Sequence, residues 1–406
     1  MVEGSGAPAG KRLLVLGAGP AQLGLLAAAR ERGLFVIALD RDPAAPGFRY
    51  ADRRAIISTE DESGIERLAD AQGVDGLIAP GIDWPVPIAA RVAERLRLPH
   101  PLEPGAAAIT VSKLRQRERF AEQGVPQPSW QVLSELPADL ALISMPCVVK
   151  APDRQGQRGL TLVRDRDELP VAIERALAES RSGNAIIEEL VEGPEVQVGA
   201  FSIGGRYFPL TVTDRLTAEP PAFGVAVRHT WPSEADVAES FRVAEAAAAA
   251  VGITDGPTHI ELRIGPDGPQ VMEVAARLGG GHNAELCLAA VGVDLNGLAV
   301  AAALGETVDE GDLQVKPQVG GAVVRFLVPP EGVLQEVEGV EEAHGVEGVQ
   351  EVRIYREPGH VFGSFLRGSD RAGAVLVTGA SREEAQDRAE EAARLIRFKV
   401  GAESLV

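Results

Sequence analysis

The sequence predicts an α/β protein in three units, residues 1–105, 106–310 and 311–406, and three observations lead there. The first hundred residues alternate apolar strand and helix in the βαβ manner. The middle carries a charged hairpin, Thr258–Asn283, that ends in three consecutive glycines. The last part mixes strands with a capped terminal helix, an α+β pattern. A chain of 406 residues is long enough for two or three cores.

Lys11–Leu16 reads as a continuous apolar strand, G-A-G-P-A-Q-L-G as its turn, the stretch to Arg32 as a helix, and Leu34–Leu39, ending at Asp40, as a second strand. The dinucleotide fingerprint G-x-G-x-x-G fails because Gln22 takes the third glycine's place, which disfavours a nicotinamide oxidoreductase and leaves a Rossmann-like scaffold. A helix over Asp61–Gln72, a buried strand over Gly76–Ala79 and a helix over Pro87–Leu96 follow. The turn Gly81–Pro85 falls at the C-terminal end of a parallel strand, where such sheets bind ligands, so Asp83 and Trp84 are candidate substrate contacts; Trp84 would equally cap the core.

Ser112 opens a helix that carries Lys113 and runs to Gln123, and Gly124-Val125-Pro126 closes it. The strand Pro146–Lys150 leads into A-P-D-R-Q-G-Q-R-G, either an ordinary hairpin loop or a mobile phosphate cradle. In the second reading Lys150 is a point charge, Gly156 and Gly159 free the backbone, and Arg158 adds a transient cation. Strand Ala185–Leu190 ends in E-E-L-V-E-G-P-E, from Glu188 to Glu195. Val196–Ile203 and Tyr207–Thr213 pair through Gly204-Gly205. A loop rich in turn formers then carries Arg228 and His229 near its end, and helix Glu234–Val251 follows. His229 is a candidate to contact a substrate carboxylate or to assist proton transfer.

In the hairpin, His259–Ile264 and Val271–Val274 flank Gly265-Pro266-Asp267-Gly268-Pro269. Ile260, Leu262 and Ile264 face one side; His259, Glu261 and Arg263 face the other. With the turn centred on Asp267, Glu261 lies opposite Glu273, a destabilising pair unless a positive charge sits between them. Mg²⁺ suits such a pair, and Arg277 points a cation at the same place. Gly279-Gly280-Gly281 offers close backbone approach rather than packing, and Gly280, His282 and Asn283 join the candidate contacts. The competing reading is an exposed edge kept soluble by its charges. Beyond Asn283 the helix is expected to continue through Leu304. Strands are expected over Gln318–Val328, Val349–Tyr355, His360–Leu366 and Gly373–Thr378, and a helix over Ser381–Ile396 opens on the capping-box pattern Ser381…Glu384.

The formal charge of −19 argues against a nucleic-acid partner. No long hydrophobic span is present, so no transmembrane helix or membrane partner is expected, and Met1–Gly10 lacks an apolar signal core, which points to the cytoplasm. Cys147 and Cys287 are too few for a disulfide framework and read as small buried hydrophobes.

Taken in order, Lys113, Lys150 with its glycine loop, Glu188–Glu195, Glu261, Glu273 and Arg277 resemble the ATP-grasp enzymes, whose metal-binding end usually reads E…E-x-N-x-R. The segment E-V-A-A-R-L-G-G-G and the loop H-T-W-P-S look most similar to the L-amino-acid ligase group. The resemblance implies the ATP-grasp fold with an N-terminal Rossmann-like (pre-ATP-grasp) domain, a central two-lobed nucleotide cleft and a C-terminal α+β subdomain. It implies ATP on Lys113, Lys150, the Gly156–Gly159 loop and Glu189. Glu188 would accept from the adenine amino group, Val191 would offer backbone bonds to the adenine edge, and Glu195 would take the ribose hydroxyls. Glu261 and Glu273 would hold two Mg²⁺, although Ala275 stands in the asparagine position and leaves the second ion short of an oxygen ligand. Arg277 would stabilise the developing oxyanion. The implied reaction joins a carboxylic acid and an amine, amino acids by expectation, through an acyl phosphate, in a homodimer. The alternatives are a carboxylase acting on bicarbonate, of the biotin-carboxylase or aminoimidazole-ribonucleotide type, and a nucleotide-binding protein without turnover.

Overall fold

The computed structural model describes residues 10–401. Most of Met1–Gly10, from which a cytoplasmic location is expected, lies outside the described residues. Strands β1 (Arg12–Leu16), β2 (Phe35–Asp40), β3 (Arg53–Ile56) and β4 (Gly76–Ile78) form a parallel sheet in the order β3-β2-β1-β4, with helices α1 (Leu23–Glu31), α2 (Glu62–Gln72) and α3 (Pro85–Leu96). Leu13–Leu16 are fully buried, as parallel strands covered on both faces require. The sequence reading misses β3, an edge strand whose arginines leave no apolar alternation. Gln22 is buried beneath the glycine turn and donates to the Pro80 carbonyl at 2.6 Å, so its side chain plugs the place where a dinucleotide's phosphates would approach.

Helices α4 (Pro104–Thr110) and α5 (Lys113–Gln123) lead to a smaller antiparallel sheet. It contains β5 (Trp130–Leu133), β6 (Cys147–Lys150), β7 (Thr161–Val163) and β8 (Ala185–Glu189) in the order β5-β8-β6-β7. Helix α6 (Leu169–Glu179) covers it around Val149, Val163, Ile173 and Ile187, a core of its own.

The remaining elements are β9 (Glu195–Ile203), β10 (Arg206–Thr217), β11 (Ala226–Trp231), α7 (Val237–Ala250), β12 (Gly256–Gly265), β13 (Gly268–Ala275), α8 (Asn283–Val291) and α9 (Leu295–Ala303). After them come β14 (Gly321–Leu327), β15 (Gly332–Glu338), α10 (Val340–His344), β16 (Val349–Ile354), β17 (Val361–Phe362), β18 (Gly373–Gly379), α11 (Arg382–Leu395) and β19 (Arg397–Gly401). Eight of these strands make one antiparallel sheet, β13-β12-β9-β10-β11-β14-β18-β16, and β17-β15-β19 make a small second one. The boundary expected at residue 310 therefore falls between strands of a continuous sheet.

Three local expectations change. Arg228 and His229 lie on strand β11, paired on both sides, instead of in a loop. The helix after Asn283 breaks at Gly292, whose φ of +75° ends α8, and Asp294 caps α9, so the two helices meet at 120°. The strand expected over His360–Leu366 shrinks to β17. No single helix among the described residues is long and apolar enough to cross a membrane.

The hairpin β12–β13 has the expected facing pair, Glu261 opposite Glu273, by a route the sequence reading does not contain. Near the turn the register pairs Leu262 with Val271 and Gly265 with Gly268; a bulge between Glu261 and Leu262, with Met272 as the extra residue on β13, then brings the two glutamates together. Strand β13 is the sheet edge, and α5 covers it. Lys113, Gln116, Arg117 and Phe120 follow the i, i+3, i+4, i+7 spacing of one helix face. Gln116 exchanges two hydrogen bonds with the backbone of Val274, at 2.9 Å each. Arg117, 1% exposed, forks onto the carbonyls of Val271 and Met272 at 2.9 and 2.8 Å and donates its third bond to Glu188 at 2.8 Å. The bulge is thus held by a buried guanidinium. Replacing it by methionine leaves two carbonyls and a carboxylate oxygen without a donor, so Arg117→Met is expected to cost about 3–5 kcal/mol in chemical denaturation. A cost below about 1 kcal/mol would remove this role.

Candidate active site

Register places a polar row across one face of the large sheet. Glu273 on β13 faces Glu261 on β12, Glu261 faces Gln197 on β9, Gln197 faces Thr213 on β10, and Arg215, two residues along β10, faces His229 on β11. The opposite face of the same strands, with Val196, Val198, Ile260, Leu262 and Val274, is core. Strand alternation thus separates chemistry from packing.

The two glutamates are offset by cations from different elements. Lys113 Nζ lies 2.8 Å from Glu273. Arg215 Nη1 lies 3.9 Å from Glu261, and the His259 ring on the same strand brings Nε2 to 3.8 Å. Burial alone would raise the Glu261 pKa, but Arg215 and His259 hold it well below the usual carboxylate range. Burial likewise works against the charge of Arg277, and the carboxylates of Asp83, Glu273 and Glu261 hold its pKa above the ordinary value.

A second centre joins the smaller sheet to α5. Glu188, buried on β8, accepts from Arg117 and pairs with Lys150 Nζ at 2.7 Å. Its pKa falls to about 2 despite burial, because two cations flank it. Lys150 falls to about 8, chiefly through burial, which the single glutamate shared with Arg117 does not offset. The glycine loop lies closed over this region. The Arg154 carbonyl accepts from Lys113 Nζ at 3.0 Å, Pro152 O accepts from the Lys113 amide at 2.9 Å, and the Gln155 side chain accepts from the Asp83 amide at 2.7 Å. Gly156 and Gly159 both have φ of +65°, the left-handed region that favours glycine. Arg158 is exposed and makes no hydrogen bond or ion pair among the described residues.

Several predicted contacts are committed elsewhere. Asp83 does not stand free for a substrate; Arg277 donates to it at 2.6 Å. Trp84 packs on the core and is covered by Arg181, whose guanidinium sits 3.7 Å above the ring, so it caps rather than contacts a ligand. Arg228 cannot share a face with its neighbour His229 on a strand, and it turns to Glu390 of α11. Gly280 is packed, since an added Cβ would lie 2.7 Å from the Gly81 carbonyl, and at Gly281 one would lie 2.5 Å from His229; the glycine run serves packing, contrary to expectation. His282 is buried with Nε2 against the Tyr355 hydroxyl and Nδ1 2.9 Å from Arg353 and 3.2 Å from Glu285. Glu188 gives one oxygen to Arg117 and the other to Lys150, so an adenine amino group would share an oxygen with one of these cations. Glu195 is likewise held by Arg215 and Arg263. Glu189 bonds Ser129 at 2.8 Å, and the Val191 carbonyl accepts from Arg263 at 3.1 Å.

His229 and Asn283 do meet at the site. Asn283 Nδ2 donates to Gln197 at 2.7 Å. His229 Nδ1 lies 3.1 Å from the Gly281 carbonyl, which only accepts, so Nδ1 carries the proton and Nε2 is a bare acceptor with no partner. Burial, with Arg215 and Arg371 nearby, pushes its pKa well below 6.5. A neutral ring in this tautomer does not bind a carboxylate, which leaves the acceptor role of the two expected. Arg117, Gln197 and Arg215 were missed. Arg117 stands four residues after Lys113 on one helix face, a readable signal, whereas the other two depend on strand register.

The glutamate pair fits Mg²⁺ in one respect and restricts it in another. Both side chains remain about a quarter exposed, at 26% and 23%, open to a hydrated ion. No group of three His, Cys, Asp or Glu among the described residues could hold a metal, and Ala275 pairs with His259. The protein thus offers one or two carboxylates to an ion that shares its remaining positions with phosphate and water.

A model for the ATP-grasp domain matches residues 143–285, and one for L-amino acid ligase C-terminal domain 2 matches residues 325–401. The chain carries an ATP-grasp domain over residues 143–285. It is 28% identical over 414 residues to the formate-dependent phosphoribosylglycinamide formyltransferase of Burkholderia vietnamiensis, which covers 96% of each chain. It is 27% identical over 390 residues to the uncharacterized protein y4rH of Sinorhizobium fredii, covering 92% of this chain and 79% of that one. The crystal structure of L-amino acid ligase from Bacillus licheniformis superposes with a TM-score of 0.82 at 23% identity, over 96% of this chain and 99% of that one, a likeness of fold. The predicted ATP-grasp architecture is therefore present.

The Lys150 ammonium, with a pKa near 8, is charged below that pH and lost as pH rises through it. Over that range the unfolded chain, with an ordinary lysine, binds more protons, so this group's contribution to stability rises with pH while its charge toward phosphate falls. Binding of a non-hydrolysable ATP analogue is therefore expected to weaken about tenfold between pH 7 and pH 9, and Lys150→Arg to flatten the profile. A wild-type profile as flat as the arginine variant's would remove Lys150 from the phosphate site.

Proposed function

We propose that this ATP-grasp ligase joins a carboxylic acid to an amine at the expense of ATP, forming an amide or peptide bond through an acyl phosphate. The observation that carries the reading is the facing pair Glu261 and Glu273 set among Lys113, Arg215 and Arg277, with the glycine loop closed on Lys113. Such an arrangement suits charge that accumulates on a transferring phosphoryl group.

In the first step a carboxylate oxygen attacks the γ-phosphorus, the bond from that phosphorus to the β-bridging oxygen breaks, and ADP leaves with the electron pair. In the second the amine nitrogen attacks the acyl carbon, the carbon–oxygen bond to phosphate breaks, and inorganic phosphate leaves as the nitrogen loses a proton. Lys113 and Lys150 offset phosphate charge, and Arg277, fixed by Asp83, faces the developing oxyanion. The neutral His229 orients the amine through its unprotonated Nε2. The closed loop keeps water from a hydrolysable acyl phosphate. Mg²⁺ on Glu261 and Glu273, when bound, neutralises phosphate oxygens and aligns them for transfer.

The test is ADP release from MgATP with amino acids singly and in pairs, and with formate and bicarbonate as separate arms. Release that requires both a carboxylic acid and an amine, with an amide product, is expected. Stimulation by bicarbonate alone would replace this reading with a carboxylase. Glu273→Gln is expected to lower turnover at least about a hundredfold with an unchanged fold, because it removes half of the ion's protein charge; full turnover would withdraw the metal assignment.

A further inference from the structure

Asp83 and Trp84, in the turn between β4 and α3, are where three distant parts of the chain meet. From just beyond β13, Arg277 donates to the Asp83 carboxylate at 2.6 Å. From the glycine loop, the Gln155 side chain accepts from the Asp83 amide at 2.7 Å. The third contact comes from Arg181, two residues past the end of α6. Its guanidinium lies 3.7 Å above the Trp84 ring and pairs at 2.8 Å with Glu60, just before α2. Nothing in the proposed chemistry uses this arginine. A core cap needs only burial, whereas a guanidinium held between a ring and a carboxylate from two separate segments fixes a position.

Arg181 is also fastened to the glycine loop. Asp153, two residues before Gln155, accepts from the amides of Arg181 and Ser182 at 3.0 and 2.6 Å. The loop and the end of α6 are thus one piece, and its closure engages both residues of the turn, Asp83 through Gln155 and Trp84 through Arg181. The carboxylate that fixes Arg277 belongs to the residue whose amide the loop holds, so a shift of the turn carries Arg277 with it. A misplacement of about 1 Å costs roughly a hundredfold in rate when the displaced group faces the reacting atoms. The Arg181 and Glu60 side chains are 28% and 48% exposed, so their ion pair is weakened by solvent. With the ring contact it shifts an open–closed equilibrium by about tenfold, a bias that still permits opening for release of products.

We propose that Arg181 is a positioning residue: it latches the glycine loop and α6 onto the N-terminal sheet through Trp84 and Glu60, and the latch sets Arg277 through Asp83. The inference rests on the ligase reading and adds that commitment of the acyl phosphate to the amine depends on a contact outside the reacting groups.

The experiment uses the full-length enzyme with MgATP and a carboxylic acid and amine that support amide formation, and measures ADP and amide in the same reaction. Water that replaces the amine splits the acyl phosphate into the carboxylic acid and inorganic phosphate, so ADP then appears without amide. The wild type is expected to form about one amide per ADP. In Arg181→Met, which keeps an apolar stem over Trp84 and loses the charge, amide per ADP is expected to fall at least about threefold with an unchanged melting temperature. Arg181→Lys, which keeps a cation over the ring, is expected to restore most of the ratio. A loss of ADP and amide together, with the ratio intact, would make Arg181 merely structural and overturn the proposal, as would a lysine variant no better than the methionine one. A second measurement needs no ligase chemistry: Arg181→Met is expected to bind a non-hydrolysable ATP analogue about tenfold more weakly, and unchanged binding overturns the latch whatever the reaction. Wild-type enzyme that forms no amide from any acid and amine would instead defeat the ligase reading, and analogue binding then decides the latch alone.

Discussion

Glu261 and Glu273 face each other across two strands, and much of the central sheet is arranged around their repulsion. A pair of like charges at that spacing destabilises a sheet unless cations stand beside it. Here the cations arrive from three directions: Lys113 from α5, Arg215 from β10, and Arg277 from just beyond β13. Their own demands propagate outward. Arg277 needs Asp83, which ties the hairpin to the loop after β4, and Arg215 needs Glu195, at the entry to β9. The site's geometry is therefore set by a chain of charge pairs that ties the hairpin to α5, to β9 and β10, and to the loop after β4.

Helix α5 turns this electrostatic arrangement into a mechanical one. One face holds the bulged edge strand through Gln116 and Arg117, touches Glu273 through Lys113, and reaches the smaller sheet through Glu188. The glycine loop then rests on the same lysine. The loop and the Glu273 carboxylate are thus linked by one residue, Lys113, which is how closure over a ligand would be sensed at the carboxylate pair. The C-terminal strands extend the same sheet, and Phe326 on one of them packs against His229.

Much of this was legible. The Rossmann-like front shows in continuous apolar strands, and the pairing of Glu261 with Glu273 was expected, though from a turn centred on Asp267 that the structure does not have. What was not legible depends on register and on partners distant in sequence. The bulge at Met272 has no composition signal, and only the fold shows that it, rather than the turn, aligns the glutamates. Asp83, Arg228, His282 and Glu188 have the chemistry of ligand contacts, yet each is taken by a residue far along the chain that no local pattern indicates.

The central claim is that a substrate carboxylate oxygen becomes bonded to the γ-phosphorus of ATP. Isotope transfer tests this most directly: a carboxylic acid substrate labelled with oxygen-18 in its carboxyl group is turned over with MgATP and an amine, and the released inorganic phosphate is analysed by mass. The account predicts one heavy oxygen in the phosphate for each amide formed. Unlabelled phosphate accompanying labelled amide would contradict it.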